Sequence, residues 1–145
     1  MGLAARKGGP KPDISSPEVF KQALLDAKSV AYSQEGGSGK VFLAMLDRAG
    51  IAAEMTPKVK VVSSVVQAVI KGDAEFGFTG VAVILADPAV ELVGRLPPEL
   101  QTYAVFAVGV NLAAREPEAA SALIRFLTDP AAASVLKAYG AETGH

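Results

Sequence analysis

Two rhythms of apolar positions alternate along this chain. In "SSPEVFKQALLDA", Phe20, Ala23, Leu24 and Ala27 recur at i, i+3, i+4 and i+7, one face of a helix. Ser16 is placed to cap that helix, Pro17 to open it and Glu18 to sit in its first turn. "SVAYS" (29–33) then reads as a short strand. "KVFLAMLDRAG" returns to the helical spacing with Phe42, Met45, Leu46 and Ala49, and Gly50 stops it. "KVKVV" (58–62) predicts a strand, and "SSVVQAVIKG" a helix capped by Ser63 or Ser64 and closed by Gly72. "AEFGFTG" predicts a strand, "VAVILAD" a short helix ended by Asp87-Pro88, and "VELVG" another strand. "GLAARKG" at the start reads as one more. After the break at "LPPEL", the run "QTYAVFAVGV" (101–110) is almost continuously apolar, which suits a strand buried on both faces.

Two helices follow. Pro117 opens the first, with Ala120, Leu123, Ile124 and Leu127 as its stripe. Asp129 caps the second and Pro130 starts it, with Val135, Leu136 and Tyr139 inward. "GAETGH" reads as a tail. Strands alternating with helices predict an α/β fold with a mostly parallel sheet flanked by helices. A seam near Asn111 separates this alternation from the closing helices. The predicted organisation is an α/β lobe with crossing strands over 1–110 and a helical pair over 111–145.

Composition narrows the function classes. A chain of 145 residues with 50% apolar residues can bury a proper core. The net charge is −1 and no basic stripe stands out, which argues against nucleic acid or an anionic membrane as partner. With no cysteine, a disulfide frame and a thiolate metal site are both excluded. "MGLAARKGGPKP" has no apolar stretch of signal-peptide length, and Arg6 stands where a myristoylation signal needs a hydroxyl. The longest charge-free apolar stretch, "LQTYAVFAVGVNLAA", is too short to cross a bilayer.

The candidate chemistry lies at the ends of the strands. "SQEGGSGKVF" (33–42) resembles a phosphate loop, and Gly39-Lys40 supplies the last pair of that pattern. The pattern's first glycine falls on Gln34 and its metal-binding hydroxyl on Val41, so two of its four positions fail. The physical core survives: a strand, a glycine turn and a helix start present free N–H groups and a positive dipole end. Gly37, Ser38 and Gly39 are therefore candidate anion ligands. Lys40 is a possible extra cation, and Glu35 opposes an anion unless it turns away.

A second candidate cradle is Val62, Ser63 and Ser64, through their N–H groups and two hydroxyls; a third strand end offers the Thr79 hydroxyl. Ordinary helix capping and a plain strand-to-helix turn would account for the first two without any ligand. Catalysis finds no foothold. His145, the one histidine, is the last residue, and no nucleophile is paired with a base. No cofactor or metal site is predicted.

Taken with "VVSSVVQAVIKGDAEFGFTG", "ELVGRLPPELQTYAVFAVGV" and "FLTDPAAASVLKAYG", the loop carries a family resemblance. From about Leu3 to Gly140 the chain resembles the molybdate-binding-like proteins of bacterial ABC transporters, which have the type II periplasmic solute-binding fold. The resemblance implies two α/β lobes joined by crossing strands, with an oxyanion held between them. This chain would be the second lobe, with the return strand and closing helices of the first. It also implies a periplasmic location, transporter membrane subunits as partners and no enzymatic activity. N–H groups at two helix starts, corresponding to Ser38 and about Val62, would hold the anion. The tyrosine that molybdate binders place after the "GF" strand is replaced here by Thr79-Gly80.

Two other readings stand beside this one: a nucleotide-binding module using Gly37 to Lys40, and a truncated lobe that dimerises and has lost its ligand. The apolar run 101–110 and the helices of 117–139 need cover, which predicts a homodimer or larger assembly.

Overall fold

The computed structural model describes residues 1–35 and 37–141. Gly36 of the glycine stretch and the end of the expected tail, with His145, lie outside the described residues. The chain divides into two compact units, Met1–Ala104 and another beginning at Val105.

The first unit holds a five-stranded sheet with helices on both faces. Its elements are β1 (Gly2–Arg6), α1 (Pro17–Asp26), β2 (Val30–Tyr32), α2 (Gly37–Arg48), α3 (Ala52–Met55), β3 (Val59–Val61), α4 (Val65–Lys71), β4 (Phe76–Thr79), α5 (Val81–Leu85) and β5 (Val90–Arg95). The strand order is β3-β2-β4-β1-β5. β2 pairs in parallel with β3 and with β4, while β1 is antiparallel to β4 and to β5. Four strands therefore run one way and β1 runs against them, in keeping with a mostly parallel sheet.

Handedness explains which face each helix takes. A strand–helix–parallel strand crossover is right-handed almost without exception. From β2 to β3 the chain moves outward across the sheet; from β3 to β4 it moves back past β2. The two crossovers must therefore use opposite faces. α2 and α3 pack with α1 on one face, burying Phe20, Leu24, Phe42, Met45 and Met55 against Leu3, Val30 and Phe78. α4 and α5 lie on the other, where Val66, Val69 and Ile84 cover Ala4 and Val90. Aromatic rings packed at a tilt anchor the first face: the Phe42 ring centre lies 5.5 Å from that of Tyr32 and 4.8 Å from that of Phe78.

The local signals act as expected. Ser16 Oγ accepts the Val19 N–H, and Ser64, not Ser63, caps α4 by accepting the Gln67 N–H. Gly72 closes α4 with φ +79°, a conformation that costs a residue with a Cβ. α2 begins at Gly37, three residues before the helical pattern becomes visible, because glycines and a serine carry no apolar stripe. α3 is a single short turn of helix between two loops and shows no periodicity of its own.

The second unit contains α6 (Pro117–Thr128) and α7 (Pro130–Ala138). Asp129 caps α7 as expected, its Oδ1 accepting the Ala131 N–H at 2.7 Å. Two expectations fail here. Residues 101–110 form no strand, and Val105 and Phe106 are 90% and 93% exposed. The helical stripes of α6 and α7 bury no residue. The reason is the same in both cases. An apolar run becomes a buried strand only where a neighbouring strand offers a ladder and a layer offers cover. Among the described residues, none pairs with 101–110. No single helix among them is long and apolar enough to cross a membrane.

Candidate functional site

Parallel pairing brings the carboxyl ends of β3, β2 and β4 side by side along one sheet edge. The chain leaves these ends in different directions. After β2 it turns to α2 on one face; after β3 and β4 it turns to α4 and α5 on the other. Strand order reverses at β2, and a crevice opens wherever neighbouring loops part to opposite faces. Open α/β sheets bind ligands at such a switch point. The three polar strand ends singled out by sequence therefore lie side by side at such a switch point.

The start of α2 lies at the centre of this edge. The N–H groups of the first three helical residues have no partner within an α-helix, and here they belong to Gly37, Ser38 and Gly39. The twelve-residue helix behind them adds the positive end of its dipole. In the preceding turn the Glu35 N–H donates to Ser33 Oγ at 3.2 Å, which turns the chain toward the helix. Gly39 is buried, and a Cβ there would run into the Ser33 carbonyl oxygen and crowd the Tyr32 ring. Gly37 is exposed with open space around it. One glycine is thus demanded by close approach and the other is not. The three residues belong to the first turn of a helix and not to an extended loop, so they do not wrap a phosphate chain as a P-loop does.

The second cradle differs from expectation. The Val62 N–H donates to the Tyr32 carbonyl at 3.0 Å, because the parallel ladder runs one residue past β3. Val62 therefore has no N–H to offer an anion. Ser63 is exposed, and the Ser64 hydroxyl accepts the capping bond at 3.4 Å while keeping its own proton to donate.

Thr79 closes β4 and is the one buried polar residue among the described residues, 7% exposed. Its side chain shares a face with Gly77, over which α4 packs Val65 and Val69. Gly80 follows; a Cβ there would meet only Val83 Cγ2, at 3.7 Å. The edge beyond Thr79 is open.

β1 runs against its neighbours, so its amino end lies at this same edge. Gly2 pairs with Thr79 on one side and with Arg95, the last residue of β5, on the other. The Met1 ammonium donates to Gln101 Oε1 at 2.6 Å and to the Thr102 carbonyl at 3.1 Å. Burial first, and the Arg95 guanidinium second, hold its pKa below the ordinary amine range. Sequence reading missed Arg95 and Gln101. No motif marks them, and only the register through Gly2 connects them to Thr79. Among the described residues no group of His, Cys, Asp and Glu could hold a metal ion.

Comparison with known proteins decides the family. Residues 1–142 match the family model for bacterial extracellular solute-binding proteins. This chain belongs to that family. The curated relative named aconitate isomerase, from a Pseudomonas species, is 30% identical over 142 residues, covering 97% of this chain and 54% of that protein. The chain thus spans about half the length of this relative. A solved structure described as the substrate-binding domain of a molybdenum ABC transporter from Clostridium difficile shares the fold. Its TM-score is 0.74 at 16% identity, over 99% of this chain and 63% of that one. An ancestral arginine-binding protein bound to arginine is similar more loosely, with a TM-score of 0.48 and 20% identity over 95% of this chain and 58% of that one. The mixed α/β sheet flanked by helices is the fold shared with the Clostridium difficile substrate-binding domain.

The two glycines give a direct check on the local geometry. Gly39→Ala forces a backbone clash and should cost on the order of 3 kcal/mol in urea denaturation. Gly37→Ala should be neutral or stabilising by about 0.5 kcal/mol. Equal effects at the two positions would contradict the close approach at Ser33.

Proposed function

We propose that this chain is the ligand-receiving part of a solute-binding protein, and that its solute is an anion held through its oxygens at the β2–β4 crevice. The observation that carries this reading is the reversal of strand order at β2. It sets a long helix start and the Thr79 hydroxyl at one sheet edge. The N–H groups of Gly37, Ser38 and Gly39 would hold the anion's oxygens, with the hydroxyls of Thr79, Ser63 and Ser64 as further donors. Val62 is dropped from that set. Binding rests on neutral donors and a dipole, which suits a solute that must be released again. Delivery to a membrane transporter, outside the cytoplasm, follows from membership of an extracellular solute-binding family. The donors at this edge include no paired base and acid, which favours binding without reaction.

A second reading comes from the relative named aconitate isomerase. Aconitate is a tricarboxylate, so the anion would be a carboxylate, and isomerisation would shift a proton within it. Carboxylate oxygens fit the same donors as oxyanion oxygens.

Titration calorimetry separates these readings. The panel is molybdate, sulfate, phosphate, cis-aconitate and ATP with Mg²⁺. The expected result is heat with at least one oxyanion or with cis-aconitate, and none with ATP. Any ligand that binds should also raise the unfolding midpoint: at a hundred times its dissociation constant it stabilises by roughly 2.7 kcal/mol. Conversion of cis- to trans-aconitate, followed by NMR, would replace binding with catalysis. No heat from any anion would contradict the proposal.

The second unit adds an assembly to the reading. Leu123 and Phe126 of α6 and Val135 and Tyr139 of α7 are more than half exposed. An apolar cleft of about 350 Å³ opens between these helices, lined by Phe126, Leu127, Val135 and Leu136 among others. Isolated short helices owe their stability to a packed apolar face. A second copy of the chain presents the same face and can cover it by two-fold pairing. Sedimentation equilibrium should give the mass of a dimer. A monomer at every concentration would contradict this.

A further inference from the structure

The register through Gly2 places a cation in the same row of the sheet as Thr79. Gly2 is the Cα partner of both Thr79 in β4 and Arg95 in β5. Residues directly opposite across a ladder share a face, and neighbouring strands lie about 4.8 Å apart. Arg95 and Thr79 are therefore about 10 Å apart at their Cα atoms.

Their shared face can be checked independently. A Cβ at Gly2 would meet Leu92 and Val81, on the α5 side. A Cβ at Gly94 would meet Ile14, which belongs to the opposite core. Arg95, one residue on, is thus on the α5 side with Gly2 and Thr79. It is also the last residue of its strand, at the carboxyl edge where the ligand is proposed to sit. It is solvent-exposed, and its charge is felt by the Met1 ammonium, which is held by Gln101 and Thr102 at that edge. Gly80 adds no side chain to close the edge beyond Thr79.

We infer that Arg95 is a specificity-determining residue that receives a second acidic group of the solute, so that the natural ligand is an extended polycarboxylate and not a compact oxyanion. This rests on the anion site proposed above. One carboxylate would take the donors at the start of α2 and Thr79. Another would reach the guanidinium, whose planar fork suits a carboxylate's two oxygens. A compact tetrahedral anion at the first position does not span the gap. The neutral donors bind either kind of anion, while Arg95 rewards only the long one.

Two probes test this on the chain as it stands: tricarballylate, with three carboxylates on a propane backbone, and sulfate. Dissociation constants are measured for wild type, Arg95→Gln and Arg95→Lys. Unfolding midpoints measured for all three separate a loss of binding from a loss of fold. The expected result is that wild type prefers tricarballylate. In Arg95→Gln that preference should fall about tenfold, the loss of roughly 1.4 kcal/mol, and Arg95→Lys should recover part of it. An unchanged preference in Arg95→Gln overturns the role of Arg95 while leaving the anion site in place. Wild type that binds sulfate as well as tricarballylate overturns the polycarboxylate assignment. Wild type that binds neither overturns the underlying site as well.

Discussion

The parallel ladder joining β3, β2 and β4 is the constraint on which the candidate edge depends. Parallel strands must be joined by crossovers, and crossovers have one hand. Because β2 lies between β3 and β4, the two crossovers are driven to opposite faces. That single fact separates α2 from α4 and α5, splits the core into two layers and opens the crevice between them. The start of α2 then faces the crevice with unpaired N–H groups, and the Tyr32–Phe42–Phe78 cluster fixes the strand and helix that bound it. The antiparallel β1 contributes in another way. By running against the rest it brings its own amino end, and the register that links Thr79 to Arg95, to the same edge.

Most elements of the first unit were legible in the sequence because each carries its own local signal. Ser16, Pro17 and Gly72 mark helix ends, and the period of Phe42, Met45 and Leu46 reports a face that truly is buried. Local signals fail where the deciding partner is remote. Val62 looks like a free helix-start donor until the ladder to Tyr32 claims its N–H. Arg95 carries no motif, and only the register through Gly2 puts it in the row of Thr79. Periodicity reports an apolar face but not what covers it. For 101–110, α6 and α7 that cover is absent from the described residues.

The candidate site was legible in kind and incomplete in membership. Sequence chemistry pointed to strand ends with hydroxyls and small residues, and the topology puts those ends together. It could not tell a demanded glycine from a tolerated one. Gly39 and Gly37 sit two residues apart in the same stretch, yet one presses on a carbonyl and the other faces open space. Membership of the extracellular solute-binding family makes solute binding the role to be tested at this edge.

The measurement that tests the central claim most directly is a ¹⁵N-labelled amide spectrum of the chain, titrated with a bound anion. If the β2–β4 crevice is the site, the amides of Ser38, Gly39 and Thr79 should move together and saturate at one affinity. Val62, held by Tyr32, should move far less. Shifts confined to α6 and α7, or scattered over exposed lysines without saturation, would contradict an anion site at the carboxyl edge of the sheet.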